Sequence, residues 1–576
     1  MSETPKKKSA AALLTEIARD RYEFGVSETG HCYALPLFGP RVMVMLTGKG
    51  GSLRAELAAA YLDEHGSPPP QQALQDAMQA LQGLALRATA RALALRVADY
   101  DDQLWLDLGD DTGQLVRIGA NGWEIVDEAP VLHRRTALTA PLARPVAQGD
   151  LSRLWSLLNV APADRAVLTA FMVASLMPDI PHPILLLTGE QGSGKSTAAK
   201  IIASIVDAST VPLRKPPRDL DSWTTAAFGS HVVAVDNLSV LPDWLSDALC
   251  RAATGDGDVK RSLFTDGDLF VFQFKRVVIL NGIDVGSVRD DLADRLVTVD
   301  LHRIEETDRA RDDDLTQRWQ DALPDILGGL LDLTTRVLEV LPTIRLERAP
   351  RMADFAHVLA AVDLIQGSDG LGRYRDQAGA LASDAVASTP VLAALTGAVT
   401  SPWRGASAEL LELLEATLGD TRPPKGWPSG ARALTSELKR RAPSLRKVGW
   451  SVELTDEKTK RGQVWEISPP TPKGDETGDE TVTRSAAADS VTLSSPLSSP
   501  PVDLEPGGSP PKGDEVTRKP PNLSVFNLEE IEGSRGTTRE EAFSSSLRHP
   551  ECPRHGWALA PDRCMTCEEL TKERTA

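Results

Sequence analysis

An α/β nucleotide-binding fold is predicted for the middle of this chain, on three observations. The apolar run Ile184–Leu187 leads into Gly189-Glu-Gln-Gly-Ser-Gly-Lys-Ser196, and Thr197–Val206 then carries helical periodicity. A second apolar run, from His231, ends in Asp236-Asn237, about 40 residues after the glycine loop. A third, beginning at Arg276, ends in Asn281-Gly282. Helix and apolar strand alternate from about residue 151 to 305, the pattern of a layered α/β core.

The glycine loop carries the chemistry. Gly189, Gly192 and Gly194 let the backbone curl so that its N–H groups converge on phosphate oxygens at a helix N-terminus. Glu190, Gln191, Ser193 and Thr197 complete the expected binding segment. Lys195 reaches the β/γ-phosphates of a nucleoside triphosphate, and the Ser196 hydroxyl can ligate Mg²⁺. A strand ending in Asp236 after such a loop places a carboxylate beside the same metal ion. Asn237 stands where a carboxylate would polarise the attacking water; an amide orients water but cannot accept its proton. Glu190 or Asp256 could supply the missing acid. Asn281 is placed to hold the water or sense the γ-phosphate, although Asn-Gly is also a favoured turn pair. In Arg289-Asp-Asp-Leu-Ala-Asp-Arg295, Arg295 is the preferred candidate to reach a neighbouring subunit's nucleotide, with Arg289 second. The alternative is a helix-end arginine paired with Asp291.

This order of motifs resembles the ATPase core of AAA+ proteins, and most closely superfamily 3 helicases and phage- and plasmid-type primase–helicases. The resemblance covers roughly residues 150–365 and only the helicase half; no primase catalytic domain is recognisable upstream. It implies a P-loop NTPase (AAA+-like) core in an oligomeric ring, a hexamer, hydrolysing ATP at subunit interfaces to move along or open DNA. It also implies a DNA-touching β-hairpin, here Val259–Phe264 and Leu269–Phe274 turning at Asp266-Gly267. That tip is acidic where the family usually presents a base, with Lys260 and Arg261 at the hairpin's base instead.

The flanks add further expectations. Residues 1–150 read as an α+β domain of unassigned role, with helices at Ala11–Arg19, Leu53–Leu62 and Gln72–Leu84 and strand-like runs at Arg41–Leu46 and Leu104–Leu108. Asp107, Asp110 and Asp111 read as turn residues rather than a two-metal centre. Residues 306–404 form a helical lid region, with apolar spacing in Ile326–Leu341 and Ala353–Leu364. Residues 405–467 read as a winged helix: Ala408–Leu418, then Ser429–Arg441 with Arg432, Lys439, Arg440 and Arg441, then a hairpin of Lys447–Leu454 and Gly462–Ile467. Lys458, Lys460 and Arg461 sit in its turn, and this local basic excess is the footprint of phosphate binding. Residues 468–546, rich in Pro, Ser, Gly and acids, read as a disordered linker. Residues 547–576 hold Cys552, His555, Cys564 and Cys567, two ligand pairs spaced for one tetrahedral Zn²⁺, with His549 as a replacement ligand.

The totals narrow the function. A formal charge of −18 over 576 residues argues against a surface coated for nucleic acid, so DNA contact must be local. Five cysteines, three of them near the end, make no disulfide framework; Cys32 and Cys250 read as buried apolar residues. Lys6-Lys7-Lys8 reads as a solvated terminus without a following apolar segment, and no run approaches a membrane span, so the expectation is cytoplasmic. The function expected is an ATP-dependent DNA helicase or replication initiator of a phage or mobile element. The alternatives are a nucleotide-switched DNA-binding or assembly factor with weak hydrolysis and, third, a small-molecule kinase.

Overall fold

Four parallel strands make the central sheet of the computed structural model, in the order Leu296–Asp300, Ile184–Thr188, Val277–Asn281, Val232–Val235. The structure describes residues 8–46, 53–261, 269–282, 288–305, 307, 311–419 and 421–470, with backbone alone from 256 to 273. The expected zinc ligands, the expected hairpin tip and the segment beyond residue 470 read as a linker lie outside those residues. The sheet is covered on both faces, which is why its strands read as continuous apolar runs. Leu185, Leu187, Ile279 and Val297 point into one core with helices Arg165–Ser175, Lys195–Val206, Asp312–Val340 and Ala353–Gln366. Ile184, Leu186, Val278 and Leu280 point the other way, against helices Leu220–Gly229 and Asp243–Thr254. Because all four strands run parallel, Thr188, Val235, Asn281 and Asp300 end along one edge of the sheet. Val277–Asn281 comes third in sequence yet lies between the loop strand and the Asp236 strand.

The N-terminal part has two layers of its own. Helices Ala10–Arg21, Leu53–His65 and Gln71–Ala85 pack on a three-stranded antiparallel sheet of Tyr22–Val26, Cys32–Pro36 and Val44–Met45. A four-stranded meander follows: Val97–Tyr100, Gln103–Asp107, Leu115–Gly119 and Gly122–Val126. Its inner residues Leu104, Leu106, Val116 and Ile118 share the core of the central sheet. The division drawn at residue 150 therefore does not coincide with a break in packing. The region expected to be a lid also packs directly on the sheet, through Ile326, Leu327, Leu330 and Phe355.

Asp107 and Asp110 do what turn residues do. Asp107 Oδ1 accepts the Gly109 N–H at 3.0 Å and pairs with Arg135 at 2.7 Å; Asp110 accepts the Thr112 N–H at 3.0 Å. Burial pushes the Asp107 carboxyl up, but the Arg135 hydrogen bonds and the charges of His133 and Arg135 leave it below its ordinary value.

The C-terminal unit comprises helix Pro390–Ala398, strand Trp403–Ala406, helices Ser407–Ala416 and Ala431–Lys447, and the hairpin Ser451–Thr459/Gly462–Ser468. Trp403–Ala406 pairs with Gly462–Ser468 as a third strand, and Leu392, Leu410, Leu434, Leu438 and Trp465 form the core. The unit thus begins before residue 405, and Lys447 ends a helix instead of opening a strand. The turn at Gly449, with φ 87°, delays that strand to Ser451. Ser468, assigned to the linker, closes the last strand.

One buried ion pair ties these layers together. Arg96, 1% exposed, donates Nε to Asp207 Oδ1 at 2.8 Å and its other nitrogens to the carbonyls of Asp107, Ala140 and Ala208. The second Asp207 oxygen accepts the N–H groups of His231 and Val232 at 2.9 Å, where the Asp236 strand begins. Asp207→Ala would leave a buried guanidinium and two strand donors unpaired, so we expect a loss of about 3–5 kcal/mol, read from the denaturant midpoint.

Candidate active site

The loop between Thr188 and Lys195 takes the curled course its glycines predict. Gly189, Gly192 and Gly194 have φ of 133°, 85° and 81°, and Gly194 is the N-cap of helix Lys195–Val206. A Cβ on Gly189 would stand 2.5 Å from the Leu301 carbonyl oxygen, so only glycine fits that close approach. Glu190, Gln191 and Gly192 are exposed, as are Ser196 and Thr197 in the first helical turn. The Lys195 ammonium donates to the carbonyls of Gly189 at 2.8 Å and Glu190 at 2.7 Å, which folds it over the loop. Ser193 is buried, and its hydroxyl has no hydrogen-bond partner among the described residues.

Three strand ends bring the distant candidates together. Asp236 Oδ1 accepts from the Ser196 hydroxyl at 2.7 Å and from Asn281 Nδ2 at 2.7 Å. Asn281, 2% exposed, uses its amide oxygen to accept the Asn237 N–H at 2.6 Å. Asn237 itself is held in the left-handed region with φ 55°, and its side chain is exposed at the tip. Beside it, Gly282 has φ 88°, and a Cβ there would meet Asn237 Cα at 3.0 Å. Asn281 thus does more than close a turn: it fixes both the carboxylate and the residue after it. A hydroxyl and a carboxylate side by side are hard oxygen donors of the kind Mg²⁺ takes alongside phosphate and water. The donors fit that metal.

Other candidates stand apart. Arg295 precedes Leu296, at the end of the sheet away from the loop, so a strand length of roughly 20 Å separates it from Gly189. Its Nη1 donates to the Asp291 carbonyl at 2.5 Å, and its Nε is buried without a partner among the described residues. Arg289, 41% exposed, lies among Asp243, Asp247 and Asp291 at 3.1–3.6 Å. Asp256 opens the hairpin strand Asp256–Arg261, three residues earlier than expected, paired with Leu269–Phe274 so that Asp256 lies opposite Phe274.

Two contacts have no signal in the sequence. Asp164, fully buried, accepts the Asp300 N–H at 2.9 Å and binds Arg373 at 2.6 Å, which places a half-exposed guanidinium at the loop edge of the sheet. The Asp164 carboxylate holds the Arg373 guanidinium above its ordinary pKa. The second contact joins the C-terminal unit to the Arg289–Arg295 segment, where Arg441 pairs with Asp290 at 2.8 Å and Lys447 with Asp294. Arg441 therefore faces the domain of the central sheet, while Arg432, Lys439 and Arg440 stay exposed on the same helix. Partners 136 to 209 residues apart leave no local pattern to read.

Residues 151–384 match the family of actinomycete integrative conjugative element replication proteins, AICE RepA, and residues 388–485 match the AICE RepA C-terminal domain. The junction falls at the bend between helices Gly370–Ser388 and Pro390–Ala398. Solved structures with a similar course include the active helicase Cch of a type IV SCCmec element, at 11% identity and TM-score 0.39, covering 78% of this chain and 93% of that one. The C-terminal region of NrS-1 matches at 12% identity and TM-score 0.36, covering 81% and 100%. Likeness that distant says nothing about chemistry. No curated protein matches the chain. Among the described residues no single helix is long and apolar enough to cross a membrane. The loop's steric fit makes Gly189→Ala diagnostic: isothermal titration with ATP and Mg²⁺ is expected to show affinity reduced by at least ~10-fold, about 1.4 kcal/mol, in a protein that still melts cooperatively.

Proposed function

We propose that this chain is an ATP-hydrolysing replication motor of a mobile element, a DNA helicase or initiation ATPase working at the subunit interfaces of a homo-oligomeric ring, a hexamer. The observation that carries this is the meeting of Ser196, Asp236 and Asn281 at the mouth of the glycine loop. Lys195 and the loop amides grip the triphosphate. Ser196 and Asp236 would hold Mg²⁺, which neutralises charge on the phosphate oxygens when bound. Asn281 locks the Asp236 carboxylate in place, and Asn237 orients water. Arg295 would turn outward to complete a neighbour's site. The C-terminal unit acts as a winged helix whose exposed Arg432, Lys439 and Arg440 meet DNA phosphates. Beyond the linker, Cys552, His555, Cys564 and Cys567 hold Zn²⁺. Working on DNA in this way, the protein is cytoplasmic.

Asn237 favours a second reading, a nucleotide-switched DNA-binding factor that binds ATP and hydrolyses it slowly. The amide at the strand tip cannot take the water's proton. Turnover measured with and without single-stranded DNA separates the two. For the motor we expect DNA-stimulated hydrolysis that Lys195→Ala abolishes; tight ATP binding without turnover would establish the switch. Subunit mixing tests the ring. Arg295→Ala and Lys195→Ala should each lose ~10³-fold in turnover, while a mixture regains activity by setting an intact arginine against an intact loop.

A further inference from the structure

Far from the phosphate loop, a cavity of about 490 Å³ opens between the N-terminal part and the foot of the hairpin. It is within the roughly 300–1,000 Å³ typical of ligand clefts. Two half-buried arginines line it. Arg134 Nη2 donates to the Phe228 carbonyl at 2.8 Å, and Arg276 Nε donates to the neighbouring Ala227 carbonyl at 2.5 Å. Consecutive acceptors set the two guanidiniums side by side at the C-terminus of helix Leu220–Gly229. Each also lies over an aromatic ring, Arg134 over Phe228 at 4.3 Å and Arg276 over Phe274 at 5.2 Å.

The charges do not balance. A helix C-terminus offers roughly half a negative charge against two full positive ones. Among the described residues neither arginine forms an ion pair with a carboxylate; Asp207, whose charge Arg276 feels, is committed to Arg96. Burial, then the charge of Arg134, pushes Arg276 down to about 9. Lys275, donating to the Asp179 carbonyl oxygen at 2.5 Å, adds a third cation to the lining. The acids of the cavity, Glu28, Asp99 and Asp179, are exposed, while the arginines are half-buried. His31 and His231 also line it, both pushed below the ordinary histidine range, chiefly by burial.

We propose that this cavity binds the phosphodiester backbone of a nucleic-acid strand, with Arg134 and Arg276 as a paired fork and Lys275 as an additional cation. This rests on the DNA-handling reading above and gives it a second contact surface. Phosphate is the matching chemistry because adjacent planar guanidiniums present N–H groups to tetrahedral oxyanions. A base is not: the two phenylalanine rings of the cavity already face arginines. Position favours a strand over a free nucleotide. Gly255 and Phe274 are the feet of the hairpin strands, and Arg276 directly precedes the strand whose far end is Asn281. A strand held here would pass the hairpin without competing for the triphosphate site.

The test is anisotropy of a labelled single-stranded oligonucleotide against the full chain over a salt series. Arg134→Gln is expected to weaken binding ~10-fold and to flatten the salt slope by about 0.7 per lost phosphate contact, with ATP affinity unchanged. Arg134→Lys should recover the slope but only part of the affinity, since it keeps the charge and loses the fork. If Arg134→Gln fails to fold, Lys275→Gln carries the same expectation. Inorganic phosphate and AMP are titrated against Lys195→Ala. Stabilisation by either, with oligonucleotide binding untouched in the arginine and lysine variants, would assign the site to a free phosphate ligand and overturn the proposal. Wild-type DNA binding that none of these variants weakens would sink this site and leave the motor standing; a wild type that binds no DNA would sink both.

Discussion

A single carboxylate oxygen, Asp236 Oδ1, organises the loop end of the sheet. It receives a hydroxyl proton from the first turn of the loop helix and an amide proton from the strand that separates it from the loop. Three strands must end at the same height for this to happen, and parallel pairing in register arranges that. Leu187 pairs with Asn281, and Leu280 with Val235. A one-residue slip in any of them would turn the polar tip onto a helix-covered face.

The register of the Asp236 strand is anchored at its other end. Asp207 caps the N–H groups of His231 and Val232, and Arg96 of the meander holds Asp207 in return. The N-terminal meander is therefore structural support for the central sheet as well as a flank of it. Its buried guanidinium is costly to desolvate, and four hydrogen bonds to fixed acceptors offset that cost. The same meander residues that pack on helix Asp312–Val340 join the sheet's core, so the elements around the site share one packed interior.

At the opposite edge of the sheet the C-terminal unit reaches the segment that carries Arg289 and Arg295. Arg441 and Lys447 bind Asp290 and Asp294, so the helix that exposes Arg432, Lys439 and Arg440 is fastened to the turn before Leu296. The acidic residues of this segment are the binding surface for the unit, and the overall negative charge of the chain is in this respect locally complementary.

The sequence alone determined the loop, the apolar strands flanking it and the helices of the N-terminal part, because each is a local pattern. Glycine spacing dictates a curl, continuous apolar runs dictate a buried parallel sheet, and Gln71–Ala85 shows its buried face at helical spacing. Local pattern also identified Asp236, Asn237 and Asn281 as strand tips. Tertiary structure decided that the Asn281 strand lies between the loop strand and the Asp236 strand, where its side chain holds Asp236 and Asn237, since strand order is set by crossovers and not by spacing. It decided that the third strand of the C-terminal unit comes from Trp403–Ala406, a four-residue run too short to read by alternation. It also decided that Arg441 serves the core instead of the solvent, and that Arg134 and Arg276, 142 positions apart by their numbering, stand side by side on one helix end. Long-range ion pairs and shared cavities depend on how layers stack, and no window of neighbouring residues records that.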